Sequence, residues 1–177
     1  MHTSSNRASA GHYIVIISWL ISVLVAAVFF MSERTVVYDP KGLLTGVANE
    51  TLLNSILTVG NTGEINQRTL VHFSSDNCRC NEVSKKHINL VFDLAKENSF
   101  ELVHVNVDKH MTSIIPSTPS VMLIDKSGDL IYLGPYGEGL TCSKTNGVVD
   151  TVLNNLKKGY KASTIYNDAK GCYCNLS

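Results

Sequence analysis

Two cysteines one residue apart, Cys78 and Cys80, sit where a short apolar run meets the start of a helical pattern. Leu70, Val71 and Phe73 have β character, and Ser74-Ser75-Asp76-Asn77 are turn and helix-cap residues. After the cysteines, Val83, His87, Leu90, Val91, Leu94 and Ala95 recur at helical spacing. The spacing predicts a strand, a cap, and then both thiols in the first turn of a helix. A thiolate is the nucleophile in disulfide exchange, and the uncapped N–H groups and positive dipole end of a helix favour it. Arg79 lies between the sulfurs, and Lys85 and Lys86 add positive charge a turn or two later. The same pair can also serve as a structural disulfide or as metal-binding thiols.

Three further cysteines, Cys142, Cys172 and Cys174, complete a set of five. They form a second possible redox pair or a staple. A tail running on from Gly159 reaches about 50 Å when extended, enough to return Cys172 and Cys174 to the first pair. Two chemistries are then open: an internal dithiol relay, or a plain staple such as Cys142 with a tail cysteine. His72, His87, His104 and His110 invite a copper or zinc reading, since thiolates suit Cu(I) and Zn. His110 and Met111 are the extra ligands best placed in the sequence, whereas His72 and His104 fall inside strands. Neither cysteine pair is Cys-x-x-Cys, so zinc-finger spacing is absent. No metal or cofactor is therefore expected.

Fifteen Lys and Arg balance fifteen Asp and Glu, a net charge of zero. That balance argues against a nucleic-acid binder, which needs a basic face. Residues 1–12 are polar and read as a cytoplasmic tail. Tyr13–Met31 carries no charge and, at 1.5 Å per residue, just spans a hydrocarbon core of about 30 Å. Val28-Phe29-Phe30-Met31 continues the apolar run past Val25-Ala26-Ala27, which favours an uncleaved signal anchor over a cleaved signal peptide. Residues 32–47 read as a tether, 48–160 as a folded domain, and 161–177 as a polar tail bearing Cys-Tyr-Cys. About 130 residues beyond the anchor and tether suffice for one core.

Within the domain, Ala48–Val59 reads as a short amphipathic helix and Phe100–Val107 as an alternating strand. Lys109–Thr118 is a loop ending at Pro119, and Ser120–Asp125 and Leu130–Leu133 flank a Lys-Ser-Gly-Asp hairpin. A glycine-rich loop follows, and Gly147–Lys158 is a last helix. The strand–helix–strand unit gives parallel neighbours and the hairpin adds antiparallel ones. The expected fold is α/β, a mixed four-stranded sheet flanked by helices and preceded by one transmembrane helix.

Three segments carry a resemblance: LVHFSSDNCRC, LVHVNVD and IPSTPSVMLIDKSGDLIYLGPYGEG. Over Leu70–Leu156 the chain resembles the thioredoxin superfamily, and with its anchor it is similar to membrane-tethered thioredoxin-like proteins of the bacterial envelope. The resemblance implies that Thr118-Pro119 is a cis-proline loop that lies against the cysteines and docks substrate. It implies that Cys78 attacks and Cys80 resolves, and that the domain sits in the periplasm, held at the inner membrane by residues 13–31. The partners so implied are protein thiols and disulfides. The spacing here is Cys-Arg-Cys where the family has Cys-x-x-Cys, so a disulfide between the two would close a smaller, more labile ring. A thiol-disulfide oxidoreductase is the expected function. A copper-delivery protein on the same fold, or a catalytically silent adaptor with structural disulfides, are the alternatives.

Overall fold

A computed structural model describes residues 10–32, 35–60, 66–139, 147–161 and 163–176. The chain divides into two units, Met1–Arg34 and Thr35–Ser177. The first contains helix α1 (Ala10–Ser32), whose Ala10–Phe30 stretch is long and apolar enough to cross a membrane. Its apolar side chains, among them Tyr13, Trp19, Leu24 and Phe29, are exposed around the helix. A helix apolar on every side suits lipid rather than water.

The second unit runs β1 (Val36–Val37), α2 (Asn49–Gly60), β2 (Thr69–Ser74), α3 (Arg79–Glu97) and β3 (Glu101–Asn106). It continues with β4 (Ser117–Thr118), β5 (Ser120–Ile124), β6 (Leu130–Pro135) and α4 (Val148–Lys157). Three two-residue strands close it: β7 (Thr164–Ile165), β8 (Lys170–Gly171) and β9 (Cys174–Asn175). The main sheet has the order β3-β2-β5-β6-β7. β2 and β3 are parallel, joined through α3, while β5 lies antiparallel to both β2 and β6. The hairpin turn between β5 and β6 places Gly128 at φ +82°, a left-handed conformation that glycine adopts without a Cβ clash.

Alternate residues of the central strands feed two cores, as a side-chain period of two requires. Val71, Phe73, Met122, Ile124 and Leu133 pack with Ile56 of α2 and with Tyr38 on one face. Leu70, Val121, Leu123 and Tyr132 pack with Val91 and Ala95 of α3 and Leu153 of α4 on the other. Covered on both faces, β2, β5 and β6 read as nearly continuous apolar runs. The buried stripe of α3 is Cys80, Ser84, His87, Ile88, Val91 and Ala95. Val83 and Leu90, expected on that stripe, are exposed instead.

The described sheet differs from the expected one by its fifth strand, β7, which pairs Tyr132 with Thr164 and Leu133 with Ile165. Two residues carry no periodicity, so only the free edge of β6 defines this strand. The segment read as tether, from Thr35 on, and the tail also belong to the second unit. Tyr38 is fully buried and Leu44 nearly so, and the Asp39 carboxylate accepts the Leu43 and Leu44 amides at 2.9 and 2.8 Å. β1 pairs with β8, placing Val36 opposite Gly171 and so joining the two ends of the unit.

Candidate thiol site

The C-terminal end of β2 delivers the chain to the site. Ser75, Asp76 and Asn77 turn it, with Asn77 at φ 60°, a conformation asparagine tolerates better than most residues. Asn81 Nδ2 donates to the Ser75 carbonyl at 3.3 Å, and Asn106 Nδ2 donates to the Asp76 carboxylate at 3.1 Å, tying the turn to α3 and β3. Cys78 is the N-cap of α3, extended at φ −80° and ψ 103°, and makes no side-chain cap hydrogen bond. Its sulfur therefore stands at the positive end of the helix dipole without spending an acceptor on the first turn. A depression of about 410 Å³ opens beside it, lined by Ser75, Asn77, Arg79 and Asn81 among others. Lys85 forms a surface pair with Glu82 at 3.9 Å.

β4 faces this helix start. The Thr118-Pro119 peptide bond is cis, and Thr118 is fully buried. The hydroxyls of Ser75 and Thr118 are 2.6 Å apart, a direct hydrogen bond between the turn and β4. Cys78 Sγ lies 3.5 Å from the Thr118 carbonyl oxygen. A disulfide sulfur has no proton to give that oxygen, but the thiol form can donate to it.

Cys78 and Cys80 are not bonded to each other. Cys78 joins Cys174 and Cys80 joins Cys172, with Cα–Cα distances of 5.8 and 5.5 Å. The small Cys-Arg-Cys ring is absent because each sulfur is taken by a tail cysteine, although the Cys78 and Cys80 sulfurs lie within 4.8 Å of each other. In an extended segment positions two apart do share a side. Cys172 and Cys174 thus present both sulfurs to α3, while Tyr173 turns the other way, its ring edge-on to Tyr38 at 5.5 Å.

The tail is seated by backbone as well as by sulfur. β9 lies antiparallel to β4, with Ser117 opposite Asn175 and Thr118 opposite Cys174. The Leu176 amide donates to the Pro116 carbonyl at 2.9 Å, and the Cys172 amide to that of Gly139 at 3.0 Å. Tyr173 Oη donates to the Gly137 carbonyl at 2.6 Å. Cys78 and Cys80 are 7 and 8 % exposed, and Cys172 and Cys174 are half-buried. The sulfurs of Cys78, Cys80 and Cys174 all lie within 4.8 Å of one another. Reduced to thiolates, that trio would suit a soft cation such as Cu(I); as disulfides it offers no anionic ligand. Cys142 lies outside the described residues.

The histidines stand elsewhere. His72 is buried, with Nδ1 2.7 Å from the Tyr136 hydroxyl and its ring 5.4 Å from that of His104. Burial, reinforced by the neighbouring His104, lowers the His72 pKa to about 4. His110 is exposed, but Met111 beside it is 2 % exposed and packs into the first core, away from a ligand position. His87 on α3 contacts the Asp150 carboxylate of α4 at 2.6 Å, a tie between helices that neither segment announces. Asp125 is another such case: Lys161, with Arg68, holds its carboxyl far below the usual carboxylate range.

Among solved structures, one described as a hypothetical protein SMc02350 from Sinorhizobium meliloti 1021 is similar at 13% identity and a TM-score of 0.46. The match covers 63% of this chain and 80% of that one. No curated protein matches the chain. The profile of the family described as Domain of unknown function (DUF6436) matches residues 50–176, from α2 to the end of the tail, and the chain belongs to that family.

Proposed function

We propose that the chain is a thiol-disulfide oxidoreductase of thioredoxin-like type, anchored through α1 in a bacterial inner membrane with its folded unit in the periplasm. The observation that carries this reading is the Cys78–Cys174 disulfide, formed at the N-terminus of α3 by a cysteine on a strand paired with β4. Thiol exchange passes through a disulfide between the enzyme's attacking sulfur and a sulfur on an extended partner segment. Here the chain's own tail takes the partner's part.

In the reduced protein, the Cys78 thiolate attacks a partner disulfide R–S–S–R′, forming Cys78–S–S–R and releasing R′S⁻. The Cys174 thiolate then attacks the Cys78 sulfur, closing Cys78–Cys174 and releasing RS⁻. With two protons taken up, the partner gains two electrons and the protein loses two. An incoming protein dithiol reverses the oxidation for the next turn. In this scheme Cys174 resolves, not Cys80, because Cys174 is the sulfur bonded to Cys78. Thr118 and Pro119 hold the extended segment beside the sulfur.

The test is a redox-buffer titration of the full chain in detergent, read by alkylation and mass spectrometry at each cysteine. On this reading, Cys78 and Cys174 open and close in native buffer, and the reduced protein cleaves a disulfide in a test polypeptide such as insulin. Disulfides that open only in denaturant would instead mark a silent adaptor with structural staples. A second reading, copper delivery, draws on the three clustered sulfurs. It predicts that the reduced protein takes up stoichiometric Cu(I) and fails to cleave the test disulfide.

A further inference from the structure

The two disulfides lie side by side, and three of their four sulfurs, those of Cys78, Cys80 and Cys174, fall within 4.8 Å of one another. We propose that Cys80 is an internal nucleophile: once its bond to Cys172 is opened, it takes Cys174 from Cys78 and so frees Cys78. This deepens the oxidoreductase reading and rests on it.

The step is a thiol exchange without net redox change. An incoming protein dithiol reduces Cys80–Cys172, becoming a disulfide itself and leaving Cys80 and Cys172 as thiols. The Cys80 thiolate attacks the Cys174 sulfur, a Cys80–Cys174 bond forms, the Cys78–Cys174 bond breaks, and Cys78 departs as thiolate. One disulfide is present before and after.

Two features of the site set the direction of attack. Attack on the Cys78 sulfur would expel Cys174 and close the small Cys-Arg-Cys ring, a strained and labile disulfide. Attack on Cys174 expels Cys78 to the N-terminus of α3, where the uncapped first-turn N–H groups stabilise a thiolate leaving group. The cross-link moves by two residues, from the N-cap to the first turn of α3, while Cys174 stays tied to that helix. A two-electron delivery at the Cys172 corner thereby frees the sulfur beside Thr118, and the tail remains held by the new Cys80–Cys174 bond. The paired Cys-x-Cys spacing is what makes this possible, since a single staple would offer no neighbouring thiol.

The experiment uses the full chain in detergent in a Cys142→Ser background, so that only the four site cysteines report. Cys172→Ser leaves Cys80 without its partner, next to Cys78–Cys174. After native alkylation and acid quench, peptide mapping is expected to find Cys80–Cys174 alongside Cys78–Cys174, with Cys78 alkylated to the same extent as Cys80 is cross-linked. Cys78–Cys174 alone, with label confined to Cys80, overturns the proposal.

A parallel measurement needs no cysteine-site variant. The Cys142→Ser chain is given one equivalent of a phosphine reductant, quenched and mapped. Label on Cys172 together with Cys78 supports the exchange. Label on Cys172 with Cys80 only, on Cys78 with Cys174, or an all-or-none mixture of fully reduced and fully oxidised chains overturns it. Insulin cleavage by the fully reduced wild type is scored separately. That activity persisting without the exchange, or failing with it, tells the two readings apart.

Discussion

Cys174 stands opposite Thr118 across the β4–β9 pair, and is bonded to Cys78, whose sulfur lies 3.5 Å from the Thr118 carbonyl oxygen. Backbone pairing and a covalent bond therefore hold one residue from two sides. Two-residue strands contribute few hydrogen bonds, so the sulfur supplies much of the constraint. Reduction of both disulfides is expected to free β9 from β4. Hydrogen exchange at the Leu176 amide, which donates to Pro116 at 2.9 Å, should accelerate on reduction. An unchanged exchange rate would mean that the strand pairing and Tyr173 hold the tail unaided.

The two disulfides close nearly the same loop, with sequence separations of 96 and 92. Either one alone removes most of the denatured-state freedom, and the second closes only the few residues between them. The Cys80→Ser, Cys172→Ser double variant should thus lose little stability. Reduction of both bonds should cost about 2–5 kcal/mol. Urea unfolding of the full chain with and without reductant checks the ratio, and equal losses for one and two bonds would sink the loop argument.

His72 makes stability depend on pH with a definite sign. Its pKa falls from 6.5 to about 4 on folding, so the unfolded chain binds more protons between those values. Its stabilising contribution is fully present above pH 6.5 and is lost as pH falls toward 4, by at most about 3 kcal/mol. The variant His72→Gln keeps a polar group near Tyr136 but does not titrate. Urea midpoints measured from pH 7 to pH 5 should fall less steeply for the variant than for the wild type.

Gly147 caps α4 where the chain passes His87. A Cβ there would stand 2.7 Å from both Cε1 and Nε2 of the His87 ring and collide with the Asp150 carboxylate. Its backbone is in an ordinary negative-φ conformation, so the requirement is one of space. Gly147→Ala should cost about 1–3 kcal/mol by displacing the His87–Asp150 contact. Thermal unfolding gives the size, and the His87 imidazole resonances in NMR show whether that contact moved.

Asp125 is 3 % exposed at its side chain and takes Lys161 at 2.7 Å and Arg68 at 2.9 Å. Lys161 is largely exposed, so most of the value of this cluster lies in satisfying a buried carboxylate rather than in surface attraction. Asp125→Asn is expected to destabilise more than Lys161→Gln, because the second variant leaves Arg68 in place. Paired denaturation curves decide it; the reverse ranking would place the weight on Lys161.

Much of the framework was written in local pattern. β2, α3, β3, the β5–β6 hairpin and α4 each have a period, a cap or a turn residue that identifies them within a dozen residues. The position of Cys78 at a helix start and the apolar length of α1 were legible for the same reason. The two-residue strands were not, because two residues have no period and their partners lie far away, as Val36 does from Gly171. Tyr38 and Tyr173 read as tether and tail residues until the fold placed them edge-on in the core. The sulfur pairing was decided by three dimensions alone. Composition offers five cysteines, but a disulfide needs two Cα atoms about 5.5–6 Å apart with facing side chains. The Cys78 and Cys80 sulfurs lie within 4.8 Å of each other, and the extended tail turns Cys172 and Cys174 the same way to meet them. That arrangement, set only once α3, β4 and β9 meet, joins Cys78 to Cys174 and Cys80 to Cys172.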